Sequence, residues 1–105
     1  KAYVASQVDR SPTTVSTATY TVLAADCILH VTRPATGTCA ITIPTALITT
    51  TFRLVVKDAS GNAGSFAISV AGEGGETFDG QVSAAVGSDY DSMSLYSDGT
   101  NLFIY

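Results

Sequence analysis

The side chain best suited to acid–base or metal chemistry is the single histidine, His30. It lies between Leu29 and Val31 in an apolar stretch typical of a strand. A catalytic triad needs its histidine beside a nucleophile, and no GxSxG sequence is present. One such ligand per chain is too few to predict a metal site, even if three copies met on a trimer axis. We therefore predict no enzymatic activity, no metal and no cofactor.

Carboxylates are the second group with chemical potential, and five of them lie in or beside predicted turns. Hydrolysis of a glycoside needs two carboxylates at a defined separation in a groove. Aspartates in turns more commonly accept hydrogen bonds from their own backbone. A calcium site needs clustered oxygen ligands, and the densest pair supplies only two in one loop. We expect structural roles for these residues: Asp58, Asp79, Asp89, Asp91 and Asp98.

Aromatic residues near the C terminus are the better candidates for binding, because aromatic side chains are enriched where proteins meet partners. Tyr90 lies in a polar turn and is predicted to be exposed. The candidate contacts to a receptor or glycan are Tyr90, Asp89, Asp91 and Tyr96. The candidate contacts between copies of the chain are His30, Phe103 and Tyr105. The alternative for the aromatic residues on strands is that they fill the core.

Composition excludes several classes of function. Only five residues are basic and the formal net charge is −4, so the counterion release that drives nucleic-acid binding is disfavoured. No apolar run reaches the ~20 residues that a membrane span needs, and no signal peptide is evident. Charged residues make up only 13% of the chain, against about 25% in average domains. This low charge favours a surface hidden in an oligomer or a β-rich domain coated with Thr and Ser.

Strict alternation of apolar residues predicts strands. Residues 52–57 and 65–71 flank a turn at 58–64, and residues 27–33 and 38–43 flank a second turn. We interpret each pair as an antiparallel hairpin, with Val56 opposite Phe66 and Val31 opposite Cys39. The second register puts Cys27 and Cys39 on one core-facing side, too far apart along the hairpin for a disulfide. Two unbonded thiols are therefore predicted, which fits assembly in a reducing cytoplasm.

The remaining segments complete an all-β prediction. Residues 1–16 form an extended lead-in, and residues 17–105 form the folded module. Val82 and Val86 should share one face of a short strand. The last hairpin turns at Asp98-Gly99, with Leu95 opposite Leu102. About eight short strands predict a small antiparallel β-sandwich, jelly-roll-like, assembled as a homotrimer.

Four stretches resemble small all-β modules of tailed-phage tail fibres and tailspikes: VVKDASGNAG, FAISV, GEGGETFDG and YSDGTNLFIY. The resemblance covers residues 20–105. It implies a homotrimeric virion appendage, assembled in the host cytoplasm, that binds a host-surface glycan or protein. Three alternatives remain open at this point: a module that only trimerises, a carbohydrate-binding module of a secreted protein, and a virion depolymerase. The last would need an acid pair that the sequence does not supply.

Overall fold

The computed structural model describes residues 11–34 and 36–105, which form two mixed β-sheets. One sheet has five strands in the order β1-β3-β5-β8-β9, and the other has four in the order β2-β4-β6-β7. A single 3₁₀ turn at Thr45–Leu47 is the helical element of the described chain. The strands are β1 Thr13–Val15, β2 Thr19–Thr21, β3 Ile28–Val31, β4 Cys39–Ile43, β5 Arg53–Asp58, β6 Ile68–Gly72, β7 Ala84–Val86, β8 Ser92–Ser97 and β9 Leu102–Ile104.

The first six strands wind as three flattened coils. Each strand is followed by one in the opposite sheet, so β1, β3 and β5 pair in parallel in one sheet. In the same way β2, β4 and β6 pair in parallel in the other sheet. The last three strands change this rule, because β7 runs antiparallel to β6, and β8 and β9 add antiparallel strands beyond β5.

The inward sides of both sheets meet in one apolar core. Alternation along each strand sends every second side chain inward, as the pleat requires. On β5, for example, Leu54 and Val56 are buried. Opposite them the four-stranded sheet contributes Ile41 and Val70, both at most 1% exposed. The two sheets therefore hold each other through side-chain packing across the core.

The all-β class is confirmed, but the two predicted hairpins are wrong. Strand β3 does not pair with β4, nor β5 with β6, since each pair is split between the two sheets. The antiparallel pairing that the jelly-roll-like prediction implied is therefore absent among the first six strands, which pair in parallel. The predicted inward residues of both pairs are nevertheless buried, except for Phe66 and Cys27, which are half-buried. Alternation indicates which side chains face the core. It does not distinguish two consecutive strands that pair in one sheet from two that face each other across the core.

The last hairpin is confirmed, with a different register. Leu95 lies opposite Ile104, and Leu102 lies opposite Ser97. Leu102 is fully buried as predicted, whereas Ile104 is 42% exposed at the end of the sheet and does not fill the core. Val82 is also misassigned, because it is 81% exposed while Val86 is buried.

A short backbone segment, residues 77–79, covers the outer edge of β9, and we call it the strap. The amide of Leu102 donates to the Thr77 carbonyl at 2.9 Å, and the amide of Asp79 donates to the Leu102 carbonyl at 3.1 Å. Phe78, at the centre of the strap, is 1% exposed. Covering an edge in this way removes a template for unwanted pairing.

The folded unit begins earlier than the predicted boundary. Strand β1 lies inside the stretch assigned to the lead-in, and its Val15 is buried in the core. The rest of that lead-in, residues 1–10, falls outside the described residues. Across residues 11–34 and 36–105, no helix combines the length and the apolar character that crossing a membrane would require.

Candidate ligand-binding face

The outward side of the five-stranded sheet carries an unusual set of side chains. Where the pleat points away from the core, the pairing register aligns three rows across the strands. The row at one end joins Arg53 to Tyr96 and Phe103. The central row joins Ile28 to Val55 and Ser94. The third row comprises Thr14, His30, Lys57 and Ser92. We call the surface formed by these three rows the aromatic face.

Three aromatic rings form a cluster on this face. The ring of Tyr96 stacks on Phe103 with centroids 5.4 Å apart, and it meets Tyr105 edge-on at 5.5 Å. The Arg53 guanidinium lies 5.7 Å from the centroid of the Tyr96 ring, in a cation–π arrangement. Tyr105 remains 68% exposed. Aromatic rings held rigidly at a surface provide contact area at little cost in conformational entropy.

Arg53 is held in place by the backbone before it. Its Nη1 donates to the carbonyl of Phe52 at 2.7 Å and to that of Thr50 at 3.4 Å. A guanidinium carries five N–H donors in a planar fork. Arg53 is exposed, and its hydrogen bonds to the other residues of 11–34 and 36–105 are both made through Nη1. The arrangement leaves the outer edge of the guanidinium available to an anionic group.

A groove of about 550 Å³ opens beside the cluster, at the ends of β3 and β5. Its walls are mainly apolar, with Arg53 and Tyr105 on the side that adjoins the aromatic rings. The groove is also lined by Thr49 and Thr51, whose hydroxyl groups are 3.1 Å apart. Size and composition suit a small ligand with both apolar faces and polar groups. Other lining residues are Leu23, Ile28, Leu47, Phe52 and Val55.

A buried carboxylate, Asp26, is among the residues that line this groove. Asp26 accepts hydrogen bonds from the hydroxyls of Thr13 and Tyr20, both at 2.7 Å, and from the Leu23 amide at 2.8 Å. These bonds tie β1, β2 and the following corner together. Burial, together with the hydrogen bond to Asp26 and its negative charge, raises the pKa of Tyr20 to about 12. Asp26 is thus a structural group of the first coil.

The opposite end of the sheet is organised around a second buried carboxylate, Asp58. Its Oδ1 accepts from the backbone amides of Ser60 and Gly61 and from the Ser60 hydroxyl. Its Oδ2 accepts from the amides of Ala63 and Tyr90 at 3.0 and 2.9 Å. Burial alone would raise the pKa of this carboxyl, but these hydrogen bonds lower it to about 2.

The loop that carries Tyr90 is fixed by the same network. The Lys57 ammonium donates to the Tyr90 carbonyl, and Asp89 accepts from the Gly64 amide at 2.8 Å. Tyr90 itself has a positive φ of 60°. Its ring lies over Gly61, where a Cβ atom would come within 2.5 Å of the ring. The loop is therefore preorganised around Asp58.

The structure divides the predicted site residues into two groups, and these differ from the two groups that the sequence predicted. Asp89, Tyr90 and Asp91 lie together in one exposed loop, and Tyr90 is 61% exposed as predicted. Tyr96 belongs instead with Phe103 and Tyr105. The assignment of Tyr96 to a receptor and of the other two to a self-contact therefore divides one continuous cluster. His30 is exposed on the same face, in the row beside Lys57.

Sequence reasoning missed Arg53. Its position at the start of an alternating strand predicted an outward side chain, but nothing local linked it to Tyr96, which is 43 residues later. The pairing of β5 with β8 creates that contact.

The two cysteines lie apart and are not joined by a disulfide. Cys27 precedes β3 in one sheet, whereas Cys39 begins β4 in the other. The prediction of no bond is confirmed, although the hairpin geometry behind it is wrong. Within residues 11–34 and 36–105, no group of three or more His, Cys, Asp or Glu side chains is arranged to hold a metal ion.

Comparison with known proteins adds no family to this description. No protein-family model matches the chain, and no curated protein matches it significantly. The candidate functional surfaces are therefore the aromatic face and the Tyr90 loop, both defined by their geometry.

Proposed function

We propose that this chain is a non-enzymatic attachment module of a homotrimeric phage tail fibre or tailspike. In this proposal it contacts a glycan or protein on the host surface and is carried on the virion. The likeness of its turn-and-strand motifs to tail-fibre modules supports the virion setting. The observation that carries the binding role is the cluster of Tyr96, Phe103 and Tyr105 beside Arg53.

The state of the carboxylates supports binding rather than hydrolysis. Asp58 is buried and already accepts five hydrogen bonds. Asp89 accepts from Gly64, and Asp98 accepts from two amides in its own turn. Groups engaged in this way stabilise loops, which is the common use of aspartate at turns.

The attachment role is tested by staining a panel of bacterial strains with the fluorescently labelled chain. We expect at least one strain to be stained, and Tyr105→Ser to reduce the staining about tenfold, as the loss of an aromatic contact does at interfaces. The matched control is Val82→Ser, which alters a side chain of similar exposure (81% against 68%) on a different surface. Staining of no strain, or equal loss with both variants, would contradict the proposal.

A second candidate function, self-association through the aromatic face, is favoured by one observation. The three residues that sequence assigned to the self-contact, His30, Phe103 and Tyr105, share this face with Ile28 and Val55. If the face packs between copies, Tyr105→Ser should lower the mass in solution while the chain remains folded. If it binds a host ligand, the same variant should lose staining and keep its mass.

A further inference from the structure

We propose that the aromatic face binds a glycan whose sugar rings carry carboxylate groups. Tyr105 is the stacking platform, and Arg53 is the contact to the carboxylate. This inference rests on the proposed attachment function and narrows its ligand class. It is carried by the geometry of these two residues, which line the same groove.

The exposed Tyr105 ring is a suitable platform for stacking against a sugar. Tyr105 is 68% exposed, and its ring is braced edge-on by Tyr96, which is itself stacked on Phe103. A braced ring with an accessible face suits the flat apolar side of a pyranose. Thr49 and Thr51 also line the groove, and their hydroxyl groups hydrogen-bond to each other at 3.1 Å.

The orientation of Arg53 suits a carboxylate ligand. Two backbone carbonyls hold its Nη1, and the Tyr96 ring lies to one side of the guanidinium. The remaining donors form the planar edge that pairs bidentately with a carboxylate. A neutral sugar would leave that edge paired only with water.

The distribution of charge on the molecule also favours an anionic ligand at this face. The chain is acidic overall, with a formal net charge of −4. Even so, the outward rows of the five-stranded sheet carry the cations Arg53 and Lys57 and no Asp or Glu side chain. The carboxylate that lines the groove, Asp26, is buried and accepts three hydrogen bonds. A face lined with cationic groups on an anionic molecule favours an anionic ligand.

The test is a calorimetric titration of the chain with three acidic oligosaccharides: trigalacturonate, a hyaluronan tetrasaccharide and trisialic acid. Each is compared with its methyl ester, which keeps the rings and removes the charge. We expect at least one acid to bind, and its ester to bind about tenfold or more weakly, because a hydrogen bond to a charged group is lost. Equal binding of acid and ester would overturn the role of the carboxylate.

Variants locate the site. Arg53→Gln should weaken binding of the acid about tenfold and leave that of the ester unchanged, whereas Tyr105→Ser should weaken both. Arg33→Gln removes the same charge at the opposite end of the sheet, since Arg33 follows β3 while Arg53 begins β5, and should change neither. Thermal melts check that each variant is folded. Full binding by Arg53→Gln would overturn the assignment of the site.

The outcomes separate this inference from the attachment function. A chain that stains bacteria through Tyr105 but binds none of the three acids would overturn the ligand class and leave attachment supported. A chain that does neither would overturn both. Binding of an acid that depends on Arg53 and Tyr105, without staining of any strain, would support the ligand class and contradict the attachment function.

Discussion

At the scale of single residues, Asp58 shows how a buried charge can organise two loops at once. Five donors converge on its carboxylate, four of them backbone amides, and they come from residues 60–63 and from Tyr90. A buried carboxylate is costly unless its oxygens are paired in this way. The exposed Tyr90 loop therefore depends on a residue that never reaches the surface.

We predict that Asp58→Asn lowers the free energy of unfolding by about 2–3 kcal/mol, because the amide nitrogen cannot accept from Ala63 and Tyr90. The folded-state pKa of about 2 lies below the ordinary value of about 3.9. The stabilisation from this shift is therefore present above about pH 4 and is lost as the pH falls towards 2.

Urea unfolding across that pH range measures both effects, and the pH dependence should flatten in the variant. The control is Asp91→Asn, since Asp91 is exposed and, among the described residues, its carboxylate accepts a hydrogen bond only from the adjacent Ser92 amide. Equal stability of the two variants would contradict the role given to Asp58.

The two thiols should differ in reactivity. Cys39 is 1% exposed and donates to the Thr17 carbonyl at 3.5 Å. Its burial raises the pKa of the thiol, against a lowering by the charge of Arg33. Since the thiolate is the reactive form, a disulfide reagent should label the half-buried Cys27 first and Cys39 only on unfolding. Fewer than two labelled thiols in denaturant without reductant would refute the unbonded state.

At the scale of elements, the strap explains how the last strand is protected. An apolar strand at the edge of a sheet invites pairing with other chains. Here the segment of residues 72–80, which contains four glycines, folds back over that edge. The Asp79 carboxylate accepts from the Ile104 amide at 3.2 Å. The positive φ values of Gly75 and Gly80, 81° and 85°, allow the turns on either side of the strap.

We predict that Phe78→Ala destabilises the protein by about 3–5 kcal/mol, as is usual for a fully buried phenylalanine. The loss should be accompanied by faster hydrogen exchange at the Leu102 amide, which donates to the strap. Val82→Ala, in the same connection and exposed, should change stability by less than about 0.5 kcal/mol. Chemical denaturation followed by tyrosine fluorescence gives both values. A small effect of Phe78→Ala would mean that the strap is peripheral.

At the scale of the whole molecule, the winding decides which surfaces are available. Coiling in parallel puts β1, β3 and β5 side by side, so outward residues distant in sequence become rows on one face. Antiparallel β8 and β9 then extend that face with aromatic side chains. One broad face and one fixed loop at its end are the result.

The proposed homotrimer has a direct test. Three chains of 10.8 kDa give about 32 kDa, which light scattering distinguishes from a monomer at micromolar concentration. We expect the larger mass, because few charged residues and abundant uncharged surface favour self-association. A monomeric mass would contradict the proposed homotrimer and would favour the alternative hypothesis of a carbohydrate-binding module of a secreted protein.

The sequence by itself determined the local structure. Alternation of period two identified the inward residues of β5 and β6, and Asp98-Gly99 identified the last turn, because both signals lie in the residues of the element itself. The linker of four residues between β8 and β9 is short enough to force a hairpin. The predicted pairing of these two strands is therefore correct, whereas their predicted register is not.

Only the tertiary structure decided the pairing of the other strands. The linkers after β3 and β5 have seven and nine residues, long enough either to return beside the same strand or to cross the core. Both routes bury the same side chains, so the difference lies in contacts between coils distant in sequence. The contact of Arg53 with Tyr96, and with it the candidate site, exists only once β5 and β8 have paired.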